Sequence, residues 1–249
     1  MTAHYDTYDY PSYWEGREYE HEAEIYAIKS FLKKIPKIES ILEIGTGYGR
    51  LTPSYIYRAT HIILSDPSGR LLKIARGNFK SKKIKFIHSC LENLPTKLKR
   101  KSMDLIILVR VLHHMENLEE TFAVIEKLIK KNGYLIIEFA NKRHLKATFS
   151  EFFRGNFTFW LDIFPKDVTG KKTKKNSIPF KNYHPDTIRE FLKKYGFSIL
   201  EERSVSNIRS LFFKKYLPKE TLLFFEKYLQ TLLAKISFGP SIFILAKKG

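Results

Sequence analysis

Between Ile41 and Arg50 the chain reads Ile-Leu-Glu-Ile-Gly-Thr-Gly-Tyr-Gly-Arg, an apolar run that passes directly into three alternating glycines. Glycine reaches positive backbone torsions and puts no Cβ between the main chain and a ligand. Amides at the start of a following helix face that ligand. The run therefore predicts a strand, a tight turn at Gly45, Thr46, Gly47 and Gly49, and a helix. A dinucleotide fingerprint would carry its third glycine three residues after the second, where Arg50 stands, so a nicotinamide-dependent oxidoreductase is disfavoured. Glu43 precedes the glycines, and Asp66-Pro67 closes the next apolar run about twenty residues on, where a carboxylate can accept hydrogen bonds from both hydroxyls of a ribose.

The rest of the chain supplies the frame that such a turn requires. Apolar residues near helical spacing from Glu20 to Lys34 predict an amphipathic leading helix ended by Pro36. Strands are expected at Ile41–Ile44, His61–Leu64, Ile84–Ile87, Leu105–Val109 and Tyr134–Phe139. They alternate with helices at Arg50–Ala59, Ser68–Phe79 and Leu118–Lys130, the order that builds a parallel sheet from crossover units. Asn132-Gly133 is read as the close of the last of these helices. Beyond it come a helix from Pro185 to Tyr195 stopped by Gly196, a strand at Phe197–Ser204, a helical stretch over Ile208–Ile236 broken near Pro218, and a final strand at Ser241–Ala246.

These elements predict one α/β domain over 1–249 with a Rossmann-like sheet, mostly parallel with an antiparallel last strand. Residues 1–35 form an N-terminal cap segment, 36–140 the cofactor-binding core, 141–183 and 207–239 helical lid insertions, and 184–206 with 240–249 complete the sheet. Between Leu211 and Ile236 there is more apolar surface than one narrow stripe uses. Packing of a lid onto the domain is the expected use, with a lipid-like acceptor or peripheral membrane contact as the alternative.

Charge and cysteine content narrow the setting. Forty-four Lys and Arg against 26 Asp and Glu give +18, which attracts phosphate-rich surfaces. Most lysines are spread singly, and only Gly170–Lys181, with Lys171, Lys172, Lys174, Lys175 and Lys181, is dense enough to read as a mobile basic loop. Cys90 is the single cysteine, and no Cys and His cluster has metal-site spacing, so a cytoplasmic, reducing setting without a structural metal is expected. The polar, tyrosine-rich Met1–Trp14 does not read as a secretory leader, and no apolar run reaches the roughly eighteen residues of a spanning helix.

Taken in order, the motifs resemble class I S-adenosylmethionine-dependent methyltransferases, in particular the small-molecule branch called type 11. The glycine turn is similar to that family's first motif. Cys90-Leu91-Glu92-Asn93-Leu94-Pro95 resembles its adenine-contacting loop, and Ser102-Met103-Asp104-Leu105 the entry to its fourth strand. Val111-Leu112-His113-His114-Met115 resembles its strand-end segment, and Asn132-Gly133-Tyr134-Leu135 the turn into its fifth strand. The likeness covers Ile41–Phe139 well, Tyr183–Ser204 moderately and the insertions poorly. It implies S-adenosylmethionine as cofactor, with S-adenosylhomocysteine as product, and a small-molecule acceptor that is quinone-, lipid- or sugar-like. An RNA methyltransferase, suggested by charge, and a non-catalytic S-adenosylmethionine-binding protein stay open as alternatives.

The resemblance also assigns roles. Glu43 and the glycine turn would hold the methionine part of the cofactor, and Asp66 with Pro67 the ribose. Where the family often has an acidic residue this chain has Cys90, so adenine would turn to the main chain beside Leu91 or to Glu92. Tyr13 and Arg17, in an aromatic leading segment, would close over the cofactor, with Arg17 pairing its carboxylate and Arg110 competing for that role or for an acidic acceptor. His113, His114 and Tyr183 are the candidate bases for an acceptor that must lose a proton. Adjacent histidines do not share a face, which argues against a two-histidine chelate.

Overall fold

A computed structural model describes Asp6 and residues 9–156, 158–168 and 179–249. Lys171, Lys172, Lys174 and Lys175 of the basic loop lie outside the described residues. The core begins with α1 (Glu18–Leu32), β1 (Ser40–Ile44), β2 (His61–Asp66), α2 (Gly69–Asn78), β3 (Ile84–His88), α3 (Leu94–Lys97), β4 (Met103–Leu108), α4 (Leu118–Leu128) and β5 (Ile129–Ala140). It continues with α5 (Leu145–Phe153), β6 (Lys166–Asp167), β7 (Lys181–Asn182), α6 (Pro185–Lys194), β8 (Phe197–Val205), α7 (Leu211–Tyr216), α8 (Lys219–Ala234) and β9 (Ser241–Lys248).

Seven strands form one sheet in the order β3-β2-β1-β4-β5-β9-β8. Strands β1 to β5 pair in parallel, and β9 runs antiparallel to both β5 and β8. Side chains alternate between the faces: Leu42, Ile106 and Ile137 pack with α4 and α6 on one, and Ile41, Leu105 and Ile136 pack with α1 on the other. Because central strands are covered on both sides, they read as unbroken apolar runs. The expected bounds of β1, β2, β4 and β9 lie within two residues of the observed ones, whereas β5 starts at Ile129, five residues before the expected Tyr134. The order reverses direction between β1 and β4, and ligands of open α/β sheets lie at the carboxyl ends of strands at such a switch.

Two expectations are corrected. Residues 50–59 do not form a helix; they make two short 3₁₀ turns, Thr52–Ser54 and Ile56–Arg58. Here Thr52 and Tyr55 turn their hydroxyls to Glu43 instead of facing a common helical stripe, and tertiary hydrogen bonding overrides the apolar spacing. Asn132-Gly133 does not close α4, which ends at Leu128. Asn132, at φ 61°, sits within β5 in an irregularity where pairing passes from Met103–Ile129 to Leu105–Tyr134.

Both insertions leave the sheet edge that carries the carboxyl ends of β1 to β5. Ala140 pairs with Ser241, and Ser241 with Val205, so the segment after β5 and the segment joining β8 to β9 start side by side. Buried Asn141 ties them together, its side-chain amide donating to Ser237 and Gly239 carbonyls at 2.6 and 2.7 Å. The second insertion packs through α8 onto α1 and β8, yet α7 buries no residue and the outer side of α8 is apolar and exposed. Packing onto α1 and β8 therefore covers only part of the apolar surface between Leu211 and Ile236.

Candidate functional site

The glycine turn follows β1 with Gly45, Gly47 and Gly49 all at positive φ, 73°, 57° and 83°. The three are bare for different reasons. A Cβ on Gly45 would lie 2.2 Å from Val111 Cγ2, and one on Gly49 would lie 2.4 Å from the Phe79 ring. Gly47 instead borders the cleft, where the Tyr10 ring lies 3.6 Å from the place a Cβ would take. Beneath the turn, Glu43 is buried and accepts hydrogen bonds from Thr46 Oγ1 at 2.5 Å, Thr52 Oγ1 at 3.2 Å and the Tyr55 hydroxyl. Burial raises its pKa against those donors. Glu43 thus orders the turn through one oxygen, Oε2, to which all three hydroxyls donate.

Asp66 ends β2 beside the turn. Its Oδ2 accepts the Gly47 amide at 2.7 Å and its Oδ1 the Ser68 amide at 2.8 Å. Burial pushes its pKa up to about 6, and among the described residues it makes no ion pair. Each oxygen keeps an acceptor position unfilled by these bonds. A buried carboxylate with spare acceptor capacity and no cation is matched by a neutral diol, so these residues fit the ribose of the implied cofactor. Pro67 follows, its carbonyl accepting from His88 Nε2 at 2.8 Å. On the adjacent loop Leu91 is buried, whereas Cys90 and Glu92 are exposed.

The leading segment covers the turn. Tyr10 and Tyr13 stack with centroids 6.0 Å apart, and Trp14 meets both edge-on. Trp14 also carries the Arg50 guanidinium 3.5 Å above its ring. Below it lies a charge cluster that sequence reasoning missed. Glu24, fully buried on α1, accepts Arg110 Nε and Nη2 at 2.8 and 2.6 Å through one oxygen and Arg50 Nη2 at 2.6 Å through the other. Burial works against its charged form, but Arg110 and Arg50 together hold the carboxyl below its ordinary range. Arg110 sits at φ 62° and its amide donates to buried Glu138 at 2.8 Å. Nothing in the helical spacing of α1 distinguishes Glu24 from its solvated acidic neighbours, so only the fold reveals it.

Beside this cluster, at the carboxyl ends of β4 and β5, a cavity of about 370 Å³ is lined by Tyr13, Arg17, Arg110, His113, Phe180 and Arg209 among others. Arg17 stacks 4.2 Å from the Tyr13 ring, and neither Arg17 nor Arg209 makes an ion pair among the described residues. Arg110 is already committed to Glu24. Of the two cations proposed for the cofactor carboxylate, Arg17 is the one left with its charge uncompensated.

The three candidate bases separate. His113 is buried against the cavity, stacks on Phe180 at 4.2 Å and has a buried Nδ1 with no hydrogen-bond partner among the described residues. Burial, with His114 and Arg110 nearby, holds its pKa well below the ordinary histidine value, so it stays neutral. His114 turns aside and its Nδ1 donates to the Pro179 carbonyl at 2.6 Å. The Tyr183 hydroxyl donates to the Met115 carbonyl at 3.1 Å within the core, and burial raises its pKa to about 12. His113 lines the cavity, whereas His114 and Tyr183 are not among the described residues that line it.

Residues 42–137 match the protein family described as methyltransferase domain. A ubiquinone biosynthesis O-methyltransferase from Pelagibacter ubique is 26% identical over 139 residues, covering 55% of this chain and 57% of that protein. The chain thus spans little more than half the length of this curated relative. A putative S-adenosylmethionine-dependent methyltransferase from Listeria monocytogenes superposes with a TM-score of 0.62 at 13% identity, covering 90% of this chain and 98% of that one. A Burkholderia thailandensis 1,6-didemethyltoxoflavin-N1-methyltransferase, solved with its acceptor and S-adenosylhomocysteine, gives 0.59 at 13% identity over 96% and 84% of the two chains. At such identities the solved structures speak for the fold.

Proposed function

We propose, from the premise that residues 42–137 belong to the methyltransferase-domain family and the chain has the class I S-adenosylmethionine-dependent methyltransferase fold, that it methylates a small-molecule acceptor held in the cavity beside β4 and β5. When bound, S-adenosylmethionine supplies a methyl group on a sulfonium, already a good leaving group. The protein's part is then positioning, which in closed sites recovers roughly 7 to 11 kcal/mol of barrier.

In this reading Gly47 and Asp66 hold the amino-acid and ribose ends, and Arg17 pairs the cofactor carboxylate. Leu91 packs the base side, with Glu92 beside it for the adenine amino group. His113 faces the acceptor as a neutral imidazole, able to accept a hydrogen bond from a hydroxyl or amine and fix its lone pair toward the methyl. Tyr13 and Phe180 provide flat walls that suit an aromatic or quinone-like ring. The name of the Pelagibacter relative supports a hydroxyl as the nucleophile.

The observation that carries the proposal is the buried, uncompensated Asp66 bonded to the Gly47 amide at 2.7 Å. Calorimetric titration with S-adenosylhomocysteine should show binding that Asp66→Ala weakens at least about tenfold; no binding by the native chain refutes it. A phenol and hydroxyquinone panel with labelled methyl donor then identifies the acceptor class.

A further inference from the structure

Helix α8 is amphipathic in the reverse sense. Toward the domain it presents Leu222, Glu226, Gln230 and Ala234, four residues apart and all buried. Glu226 accepts the Tyr19 hydroxyl at 2.5 Å and the Ser206 amide at 2.8 Å, and Gln230 donates to the Ala23 carbonyl at 2.9 Å. Toward water it presents Phe224, Phe225, Tyr228 and Leu232, with Tyr228 65% and Leu232 60% exposed. Helix α7 continues this surface, with Leu211 84% and Phe212 64% exposed. A helix that uses its polar residues for internal packing and leaves its large apolar ones in solvent is normally covered by something else.

The charge around this surface indicates what covers it. From Arg209 to Ile236 there are six basic residues and two acidic ones, and one of the acids, Glu226, is buried. Lys214 and Lys219 pair with Glu20 and Glu22 on α1. Arg209, Lys215, Lys227 and Lys235 are exposed and make no ion pair among the described residues. Cations flanking an exposed aromatic and aliphatic helix face complement an anionic bilayer surface, where the ring and leucine side chains enter the acyl boundary and the ammonium groups meet phosphates. Single-stranded RNA would match the cations and aromatics but not Leu211, Leu232 and Ile236, which have no π-face on which to stack a base.

We infer that α7 and α8 form a docking face for anionic lipid bilayers. The geometry links it to the cavity, because Arg209 lines that cavity and lies two residues before Leu211. Docking therefore brings the cavity rim to the headgroup layer. The inference does not depend on the proposed methyl transfer, since lipid binding and S-adenosylhomocysteine binding are read separately.

The test is cosedimentation of the full chain with vesicles of phosphatidylcholine alone and of phosphatidylcholine with phosphatidylglycerol. The native chain should pellet with the anionic vesicles and remain in the supernatant with the neutral ones. Leu211→Ser/Phe212→Ser/Tyr228→Ser/Leu232→Ser should weaken the anionic partition at least about tenfold, and Lys215→Glu/Lys227→Glu/Lys235→Glu by about a hundredfold. Both variants alter exposed positions and should bind S-adenosylhomocysteine as the native chain does, which shows that they fold. Equal recovery with and without anionic lipid overturns the inference. So does unaltered vesicle binding by the serine variant, or a solution dimer that this variant dissociates while the native chain ignores vesicles.

Discussion

The glycine-turn side of the sheet and the insertion side use polar groups in opposite ways. Around the turn, Glu43, Asp66 and Glu24 are buried and hydrogen-bonded by nearby backbone or side chains, so each fixes a conformation. Across the carboxyl edge, the second insertion turns Glu226 and Gln230 inward and leaves Phe212, Tyr228 and Leu232 in water. The first region is held in one conformation by its own internal bonds. The second is a surface whose sequence is shaped by what it meets outside the chain.

The largest effect should come from the charge cluster. Glu24→Gln leaves two guanidiniums with a neutral partner in a buried site, and breaking such a pair costs about 3–5 kcal/mol. Denaturant unfolding should show this loss; a change within experimental error would mean that the two arginines find compensation elsewhere and the contrast between the regions weakens. Gly45→Ala should follow, at about 2–4 kcal/mol, because it adds a positive-φ penalty to the overlap with Val111. The same substitution at Gly47 should spare stability relative to Gly45 and be felt mainly in cofactor affinity, since its neighbour is the movable Tyr10 ring.

A third effect is pH-dependent. The Asp66 carboxyl has a pKa of about 6, above its ordinary value, because burial disfavours the charge. In the proposed binding mode the ionised form accepts from two ribose hydroxyls, so binding below pH 6 would require Asp66 to release a proton. S-adenosylhomocysteine affinity should therefore fall as pH drops from 7 to 5, approaching tenfold per unit below the pKa, and Asp66→Asn should flatten this slope. A native slope that persists in Asp66→Asn would assign the titration to another group. The smallest effect belongs to the insertion side. Tyr228→Ser alone should change stability by no more than about 0.5 kcal/mol, because the side chain is mostly in water already.

The same contrast decides what could be read from the sequence. Strands covered on both faces announce themselves as apolar runs, and a turn that needs positive φ announces itself as glycine, so the sheet and the Gly45–Gly49 cradle were legible. Asp66 was legible because strand length fixes its distance from the turn. Residues 50–59 were misread because Thr52 and Tyr55 are held by hydrogen bonds to Glu43 and not by helical packing. The separation of His113 from His114 was not legible: the two rings are 4.0 Å apart, and only Pro179 and Phe180, remote in sequence, determine which one faces the cavity. Glu24, Arg50 and Trp14 form a site element from three segments with no shared motif, and long-range assembly of that kind leaves no local pattern.

The central claim is that the bare strip between Gly47 and Asp66 receives the cofactor. A crystal structure of the chain with S-adenosylhomocysteine tests it directly. The account predicts density with the ribose hydroxyls on the Asp66 carboxylate and the amino-acid end running past Gly47 toward Arg17. Ligand density at another place on the protein, with Asp66 untouched, would contradict it.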